Sequence, residues 1–494
     1  MSEKICSILH LCFSIRALTG LFILFFSLLC ACIPVTKRSV SPMNLPANFS
    51  IQGEVPLQAK WWLDFQDDSL SLLIDQALNE NFSLRIARER IDEAEAIARQ
   101  SGALLVPFLD GQGRGSSTRN YSTDTTLENF SLGVAASYEI DLWGRLRSQR
   151  DAAILDVKAT EADYHTAVIS LAAAVATTWY ERVEADLQLD LLIQQQETNS
   201  KVLELISSQF RSGKVGIADV LQQRQLVESN IGDLAGLRAG KQVLEHQLAI
   251  LLGIPPGTAD LPQRDQLPDL PPLPNTGIPL DILTTRPDIE SSFLSLKAAD
   301  YRVAAAVADR FPQLTLSAEL STSGNRSQDL FNNWFSTLAG NLFGPLFDGG
   351  LRKAEVARNE SIARQLFYNH GETILEAIGE VEDGLVREKE QQIVLDSLKT
   401  QLQYAAETIE HVGTRYRQGA ENYQRVLLAL LSHQGLQRSI LSSERQLINF
   451  RISLYRALSG RIPELQIEPA AGNSTYFSKS LHHPDKPGVP TKRL

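Results

Sequence analysis

Few residues of this chain have the types and spacing that chemistry requires. The segment 110–115 (DGQGRG) resembles a glycine-rich phosphate loop, but Ser and Thr follow it where such a loop needs a helix. The eight histidines are scattered, and only His482 and His483 are adjacent. No serine or cysteine lies in a nucleophile motif. We therefore expect no enzyme activity, no catalytic residue, no metal site and no cofactor.

The cysteines are confined to the start of the chain. All four, at positions 6, 12, 30 and 32, precede Ile33, which excludes disulfides and cysteine-based zinc sites downstream. Lys4 and Arg16 precede an apolar run from Ala17 to Leu29. Such a run is typical of a secretory signal peptide and is too short to span a bilayer comfortably.

One of these cysteines has a predicted chemical role. The segment 29–32 (LCAC) resembles the lipobox of bacterial lipoproteins, which implies removal of residues 1–31 as a signal peptide and acylation of Cys32. Because acyl chains bury CH₂ groups in lipid, Cys32 would be a lipidation site that holds the protein to outer-membrane lipid. Ile33 favours the outer membrane, since an Asp at this place commonly retains lipoproteins at the inner membrane. The alternative is a plain signal peptide with an incidental cysteine.

Composition sets further limits. The chain has 494 residues, 43% of them hydrophobic, so it is long enough for a large core and too apolar to be disordered. Its 47 basic and 58 acidic residues give a formal net charge of −11. Because phosphate contacts need a basic surplus, we expect no nucleic acid partner.

Proline placement divides the chain into segments. No proline occurs from Phe108 to Ile254 or from Leu346 to Ile462, whereas nine lie in the segment 255–287. Proline removes a backbone donor and stiffens the chain, so this segment is expected to be a surface connector. The predicted segments are a signal peptide (1–31), a lipidated linker (32–60), a first repeat (61–254), a Pro-rich connector (255–287), a second repeat (288–460) and a disordered C-terminal tail (461–494).

The two proline-free regions are copies of each other. A shift of 205 residues places Pro107 on Pro312, and a shift of 206 places the segment 210–213 (FRSG) on 416–419 (YRQG). Matches in one order with a drift of one residue indicate an internal repeat. Each copy is predicted to contain a helix, two strands, a very long helix, a turn and a returning helix.

Very long helices are predicted in both repeats. From Arg145 to Ser212 there is neither glycine nor proline, and apolar residues recur on one helix face. At 1.5 Å per residue this stretch extends on the order of 100 Å, so it needs to lie along other helices, as in a coiled coil. Gly213 and Gly419 are predicted helix ends. The predicted returning helices are 217–252 and 422–458.

Between the helices the hydrophobic period changes from 3.6 to 2. Apolar and polar residues alternate from Phe130 to Leu142 and from Gln313 to Leu320, as in strands with one apolar and one polar face. The segments 109–115 and 334–342 are weaker strand candidates. In a membrane an open sheet edge leaves unpaired amides, so four strands need further copies. Three chains, with about twelve strands, are the smallest number that encloses a lumen.

Several segments of the chain match, in order, the motifs of one known family. They are 61–67 (WWLDFQD), 138–147 (YEIDLWGRLR), 286–289 (RPDI), 311–312 (FP), 380–383 (EVED), 415–419 (RYRQG) and 454–458 (LYRAL). From Trp61 to Gly460 the chain resembles the TolC and OprM type of outer membrane factor, the channel of tripartite efflux systems, in its lipoprotein branch.

The resemblance implies a fold, partners and an activity. The expected fold is an α+β membrane protein whose two structural repeats give four barrel strands and long coiled-coil helices per chain, assembled as a trimeric β-barrel plus an α-helical barrel. The implied partners are two further copies in a homotrimer, a periplasmic adaptor (membrane fusion) protein and an inner-membrane efflux pump. The expected function is a passive duct that exports small molecules. The alternative is a pore-less coiled-coil scaffold lipoprotein in the outer membrane.

The resemblance also locates a channel constriction, where this sequence departs from the family. Family members narrow the channel where the second hairpin turns back, often with an Asp and an Arg, and the matching positions are Leu428 and Leu431, with Gln424 one turn earlier. We expect an apolar ring that excludes water; the alternative is that these leucines only pack the hairpin. Asp219, at the tip of the first hairpin, is a further candidate, either for a cation or the adaptor or as a helix cap.

Overall fold

A computed structural model describes residues 44–462 of the chain. The signal segment 1–31, the lipidation site Cys32 and residues 463–494 of the predicted tail lie outside this part. In chain order the elements are a 3₁₀ turn (Trp61–Phe65), α1 (Asp68–Glu80), α2 (Phe82–Ala103), β1 (Phe108–Asn120), β2 (Thr125–Ile140), α3 (Arg145–Arg211), α4 (Ile217–Leu251), α5 (Pro279–Thr285), α6 (Pro287–Ala308), β3 (Gln313–Gly324), a second 3₁₀ turn (Ser327–Asp329), β4 (Trp334–Phe343), α7 (Leu351–Arg417) and α8 (Tyr423–Leu458).

The same order of elements occurs twice. The series α2, β1, β2, α3 and α4 recurs as α6, β3, β4, α7 and α8. The long helices α3 and α7 have 67 residues each, and α2 and α6 have 22 each. The described part contains no helix that is both long enough and apolar enough to cross a bilayer.

The described chain forms two compact units. One contains the strands, in residues 107–149 and 300–361, and the other contains residues 44–106, 150–299 and 362–462. We call them the sheet unit and the helical unit. Each unit takes equivalent segments from both repeats.

The sheet unit is a four-stranded antiparallel sheet in the order β1-β2-β3-β4. Directly paired residues share a face of a sheet, so the register defines two faces. One row pairs Asp110 with Ala135, Ala135 with Glu319, and Glu319 with Thr337. On this face Gln112 Nε2 also donates to Glu319 Oε1 at 3.0 Å. The sheet therefore has one face with polar and charged side chains.

The opposite face of the sheet is apolar, and most of its large side chains are exposed in the single chain. The exposed residues of this face include Leu109, Leu132, Val134, Leu316, Leu320, Trp334, Leu338 and Leu342. β1 and β4 form the two edges, and each is paired on one side only in the described chain. The sheet thus has two different faces and two free edges.

The segments 109–115 and 334–342, which are only weak candidates by pattern, belong to complete strands. One of the three glycines of β1 lies under a large side chain of β2: a Cβ at Gly113 would lie 3.2 Å from Leu132 Cδ2. The segment 110–115 is therefore strand and not a phosphate loop. β2 ends at Ile140, before Leu142, because the Leu142 N–H turns back to donate to the Ile140 carbonyl at 2.8 Å.

A strand-to-helix junction within the sheet unit explains part of the segment 138–147. The Asp141 carboxylate accepts the N–H groups of Leu146 (3.1 Å) and Arg147 (2.9 Å), which caps the start of α3. Gly144 has a φ of 75°, a conformation that glycine adopts without strain. Trp143 Nε1 donates to the Pro312 carbonyl at 2.6 Å. These residues hold the junction and are not arranged for chemistry.

The helical unit is built around an aromatic core. Trp61 stacks on Tyr455 with ring centroids 5.3 Å apart, and Phe65 packs against Tyr180. The buried Asp67 carboxylate accepts Trp179 Nε1 at 2.9 Å. The segment 61–67 is therefore the part of the chain that closes this core.

The proline-rich segment 255–287 was expected to be a surface connector, and this expectation is wrong in part. It contains the helix α5, Ile282 within α5 is buried, and Pro287 already begins α6. Arg451, 2% exposed, donates to the carbonyls of Pro271 and Pro272 and fixes the segment against α8. Proline carbonyls remain good acceptors even though the residue lacks an N–H, which is why such a segment can be bound closely.

Candidate channel constriction

Two helical hairpins in the helical unit carry the residues predicted to narrow a channel. The first joins α3 to α4 through Gly213, and the second joins α7 to α8 through Gly419, with φ values of 72° and 75°. Glycine tolerates this left-handed conformation, so both predicted helix ends are confirmed. The N–H of each glycine donates to a carbonyl three residues earlier, at 2.9 Å and 3.0 Å.

The two hairpins pack together next to their turns. A small apolar cluster of Ile206, Val220, Tyr423 and Leu427 is buried between them. Each of α3, α4 and α8 contributes to it. The cluster holds the side of α8 that carries Tyr423 and Leu427 against α3 and α4. The opposite side of α8 lies outside this packing.

Farther from the turns than this cluster, the two hairpins are joined by uncharged side-chain amides. Asn199 and Gln434, both buried, exchange two hydrogen bonds: Asn199 Nδ2 donates to Gln434 Oε1 at 3.2 Å, and Gln434 Nε2 donates to Asn199 Oδ1 at 3.1 Å. Gln195 Nε2 donates to the Gln434 carbonyl at 3.2 Å, and Gln188 Nε2 donates to the Arg438 carbonyl at 2.9 Å. We call this row of amides between α3 and α8 the amide seam.

Two tyrosines extend the seam to the turns. Tyr423 OH donates to Gln223 Oε1, and Tyr416 OH donates to Gln209 Oε1, both at 2.5 Å. Burial, and then the negative charge of Asp219, raise the pKa of Tyr416, and burial also raises the pKa of Tyr423. Both phenols therefore stay protonated and act as donors over the whole physiological pH range.

The three predicted constriction residues are exposed on α8 in the single chain. Leu428 is 59% exposed and Leu431 is 40% exposed, and Gln424 is exposed one turn before Leu428. Their neighbour Leu427 is the leucine that packs the hairpin. Within a single chain, Leu428 and Leu431 therefore form an unburied apolar pair, one helix turn apart on one side of α8.

Asp219 is placed as a helix cap. Its Oδ2 atom accepts the Gly216 N–H at 3.2 Å, at the start of α4. Asp219 lies in the first turn of α4, where a carboxylate is favoured by the helix dipole. In the described part of the chain, no group of three His, Cys, Asp or Glu residues is positioned to hold a metal ion.

The fold and the site can now be compared with known proteins. A family model described as "Outer membrane efflux protein" matches residues 73–254 and 278–460. The chain belongs to the outer membrane efflux protein family. Members of this family are outer-membrane efflux channels, and this outer membrane efflux protein is the outer-membrane component of an efflux system.

Individual relatives agree with this family assignment. The pyoverdine export outer membrane protein OpmQ of Pseudomonas aeruginosa is 31% identical over 421 residues, which cover 81% of this chain and 87% of the relative. The cation efflux system protein CusC of Escherichia coli is 29% identical over 478 residues, covering 92% and 98%. A crystal structure of CusC matches with a TM-score of 0.80 at 27% identity, over 87% of this chain and 100% of that one.

The amide seam of this outer membrane efflux protein was not found by sequence reasoning. Its signal was present, because Gln188, Gln195 and Asn199 follow each other at intervals of seven and four residues on α3. Such intervals place side chains on one helix face, and buried glutamine or asparagine at these positions often fixes how helices pair. Arg286 was considered only as a motif; it is buried and binds Asp288 and Glu380.

Proposed function

We propose that three copies of this chain form one channel, with the sheets closing a β-barrel in the outer membrane and the long helices forming an α-helical barrel in the periplasm. Export through this channel is passive, and a pump in the inner membrane supplies the energy. The proposal rests on the two faces and two free edges of the sheet.

The apolar face of the sheet is suited to lipid and the polar face to water. In hydrocarbon, unpaired backbone groups cost several kcal/mol each, so the edges β1 and β4 need partners. β1 and β4 run in opposite directions in an antiparallel sheet of four strands, so β4 of one copy can pair with β1 of the next copy. Two copies give eight strands, whose interior side chains fill, whereas three copies begin to leave a lumen.

The oligomeric state and the conductance test this proposal together. The purified protein in detergent is expected to have three times the mass of the chain, and in a planar bilayer it is expected to conduct ions. A monomer, or an oligomer that inserts without conducting, would refute the channel and favour a scaffold that anchors long helices to the membrane.

We further propose that Leu428 and Leu431, with Gln424 one turn away, narrow the periplasmic end of the channel. Three copies of an exposed apolar pair form a ring that water wets poorly, which closes a pore without any charged contact. Leu428→Ser is expected to increase the open time and the current of single channels. Leu205→Ser, which changes a comparably exposed leucine on α3 of the other hairpin, is the matched control. Identical recordings from Leu428→Ser and the unmodified protein would disprove the apolar gate.

The remaining assignments complete the proposed assembly. Residues 1–31 are a signal peptide, and Cys32 carries acyl chains that anchor the linker 32–60 in outer-membrane lipid. The two hairpin turns face a periplasmic adaptor, to which Asp219 contributes charge. Mass spectrometry of the mature N-terminus is expected to show a diacylglyceryl-modified Cys32; an unmodified mature N-terminus would disprove the lipid anchor.

The proposed duct selects weakly among substrates. The names of the relatives refer to pyoverdine, to cations and to toluene, which differ in size and charge. A shared channel fold with such different substrates is consistent with selection by the pump. We therefore propose a small-molecule duct without a dedicated substrate site.

A further inference from the structure

The helical unit has two exposed apolar stripes on different helices, and neither is used by its own chain. On α7 the stripe contains Val386, Ile393 and Tyr404, and on α4 it contains Ile250, Val243 and the exposed Gly232. The five side chains larger than glycine are between 51% and 62% exposed. Isolated surface leucines or valines are common, but a regular stripe on a long helix indicates a partner.

The two stripes have the same spacing. Val386 and Ile393 are seven residues apart, and Ile393 and Tyr404 are eleven apart; Ile250, Val243 and Gly232 have the same two intervals. Seven and eleven residues are close to two and three whole turns at about 3.6 residues per turn, so each set lies on one line along its helix. α4 and α7 run in opposite chain directions, so the intervals match when the helices lie side by side.

Each stripe lies opposite the buried side of its helix. On α7 the buried residues Ala377 and Leu395 are nine and two residues from Val386 and Ile393, which places them on the other half of the helix circumference. On α4 the same holds for the buried Leu248, two residues from Ile250. The stripes therefore point away from the chain's own helices.

The stripes also lie at the same height in the helical unit. Bonds run across the unit from α4 to α3, from α3 to α8 and from α8 to α7, and two such rows are present. The lower row is Lys241–Asp186 (2.5 Å), Gln188–Ser442 (3.2 Å) and Gln391–Ser443 (2.7 Å); the upper row is Arg182–Glu245 (3.7 Å), Asn449–Glu181 (3.4 Å) and Arg451–Glu388 (2.6 Å).

These rows place Val243 within about one helix turn of Ile393 along the unit. Because the intervals in the two stripes are equal, Ile250 lies at the same offset from Val386, and Gly232 from Tyr404. Side chains of a helix lean toward its N-terminus, and the N-termini of α4 and α7 lie at opposite ends. Val243 and Ile393 therefore lean toward each other across the remaining offset.

We infer that α7 of one copy packs on α4 of the next copy through three matched pairs: Val386 with Ile250, Ile393 with Val243, and Tyr404 with Gly232. A second copy is the occupant that fits, because rotation about an axis parallel to the helices keeps every residue at its own height. Because the two stripes are different surfaces, each copy contacts the next copy head-to-tail, and the contacts close a ring. Pairing of β4 with β1 of the next copy also requires a head-to-tail ring.

Gly232 is the receiving position for the largest side chain of the α7 stripe. A Cβ built on Gly232 would have no atom within 4 Å in its own chain. A tyrosine ring can lie on this bare backbone, whereas a side chain at position 232 would hold the helices apart. The inference rests on the proposed ring of copies and adds the residues that join them.

Cross-linking of the full-length channel tests the pairing, because the chain has no cysteine after Cys32. The double variant Val243→Cys/Ile393→Cys is treated with a short bismaleimide in outer membranes and run on a denaturing gel. We expect bands of two and three linked chains. The matched control is Val243→Cys/Val394→Cys, because Val394 is 48% exposed at the same height but about 100° around α7; it is expected to stay monomeric on the gel.

The trimer mass and the conductance of the same variants separate this inference from the proposed function. Conducting trimers that fail to cross-link, that cross-link equally in the control, or that link to a different protein would overturn the α4–α7 contact and leave the channel standing. If the unmodified protein neither forms a trimer nor conducts ions, the α4–α7 contact and the channel are both overturned.

Discussion

The amide seam makes a quantitative prediction for Asn199. In Asn199→Leu, the Oε1 and Nε2 atoms of the buried Gln434 both lose their Asn199 partner. An unsatisfied buried polar group costs roughly 1–3 kcal/mol, so the two atoms together cost about 2–6 kcal/mol. The change affects the seam without altering charge or much volume.

Hydrogen exchange of the seam peptides is the appropriate measurement. A loss of about 2 kcal/mol of local stability accelerates exchange about 30-fold, since 1.4 kcal/mol corresponds to a factor of ten. Backbone amides of α3 near residue 199 and of α8 near residue 434 are expected to exchange at least this much faster in Asn199→Leu. Distant parts of the core, such as the Trp61 region, are expected to be unchanged.

The double variant Asn199→Leu/Gln434→Leu provides the matched control. Replacing both partners leaves no unsatisfied group, so exchange is expected to return most of the way to that of the unmodified protein. If Asn199→Leu exchanges like the unmodified protein, or if the double variant is worse than the single one, the seam does not hold the hairpins in the way described.

Three further changes are predicted to alter stability. Arg451→Met leaves the Glu388 carboxylate, whose side chain is 12% exposed, without its bidentate partner. This change is expected to cost about 3 kcal/mol in urea unfolding, and Arg451→Met/Glu388→Met is expected to recover most of it. Equal unfolding midpoints for Arg451→Met and the unmodified protein would contradict this. Gly253→Ala is expected to lower the melting temperature far more than Gly213→Ala, because a Cβ at Gly253 would lie 2.5 Å from a backbone carbonyl oxygen. At Gly213 no atom lies within 4 Å of such a Cβ, and only the left-handed φ costs about 1–2 kcal/mol. The reverse order of melting temperatures would be inconsistent with this geometry. Burial, followed by a neighbouring arginine, lowers the pKa of His165 below its ordinary 6.5, so the stability present above pH 6.5 falls as the pH drops below it. Between about pH 7.5 and about pH 5.5, the melting temperature of His165→Phe is expected to fall less than that of the unmodified protein. An identical acid dependence of the two proteins would exclude His165 as the cause.

The helices and their ends could be predicted because their causes are local. The stretch from Arg145 lacks glycine and proline, and Gly213 and Gly419 supply the left-handed turn residues, so α3 and both hairpin turns follow from the sequence. The apolar and polar alternation likewise located β2 and β3. The local sequence pattern was therefore sufficient to predict the long helices, the hairpin turns and these two strands.

The remaining features depend on contacts between distant segments. β1 was underestimated because its glycine-rich sequence lacks an alternating pattern, and it is a strand through its pairing with β2. The amide seam joins residues more than 200 positions apart, and Arg451 reaches the carbonyl of Pro272 from a similar distance. At the proposed constriction, the sequence indicated Gln424, Leu428 and Leu431, and only packing distinguishes these exposed residues from the buried Leu427. Pairings of this kind are not encoded in any one window of the chain.

The uncharged nature of the amide seam has a consequence for how the hairpins come apart. Between Gln195 and Gln434 the contacts are between groups that neither titrate nor attract counterions. A shift in acidity or salt leaves these amide contacts unchanged, whereas it acts on the ion pair that Arg445 forms with Glu184 between the same two helices. We therefore expect the amide contacts themselves to yield only to groups that replace their hydrogen bonds, such as donors and acceptors of another protein.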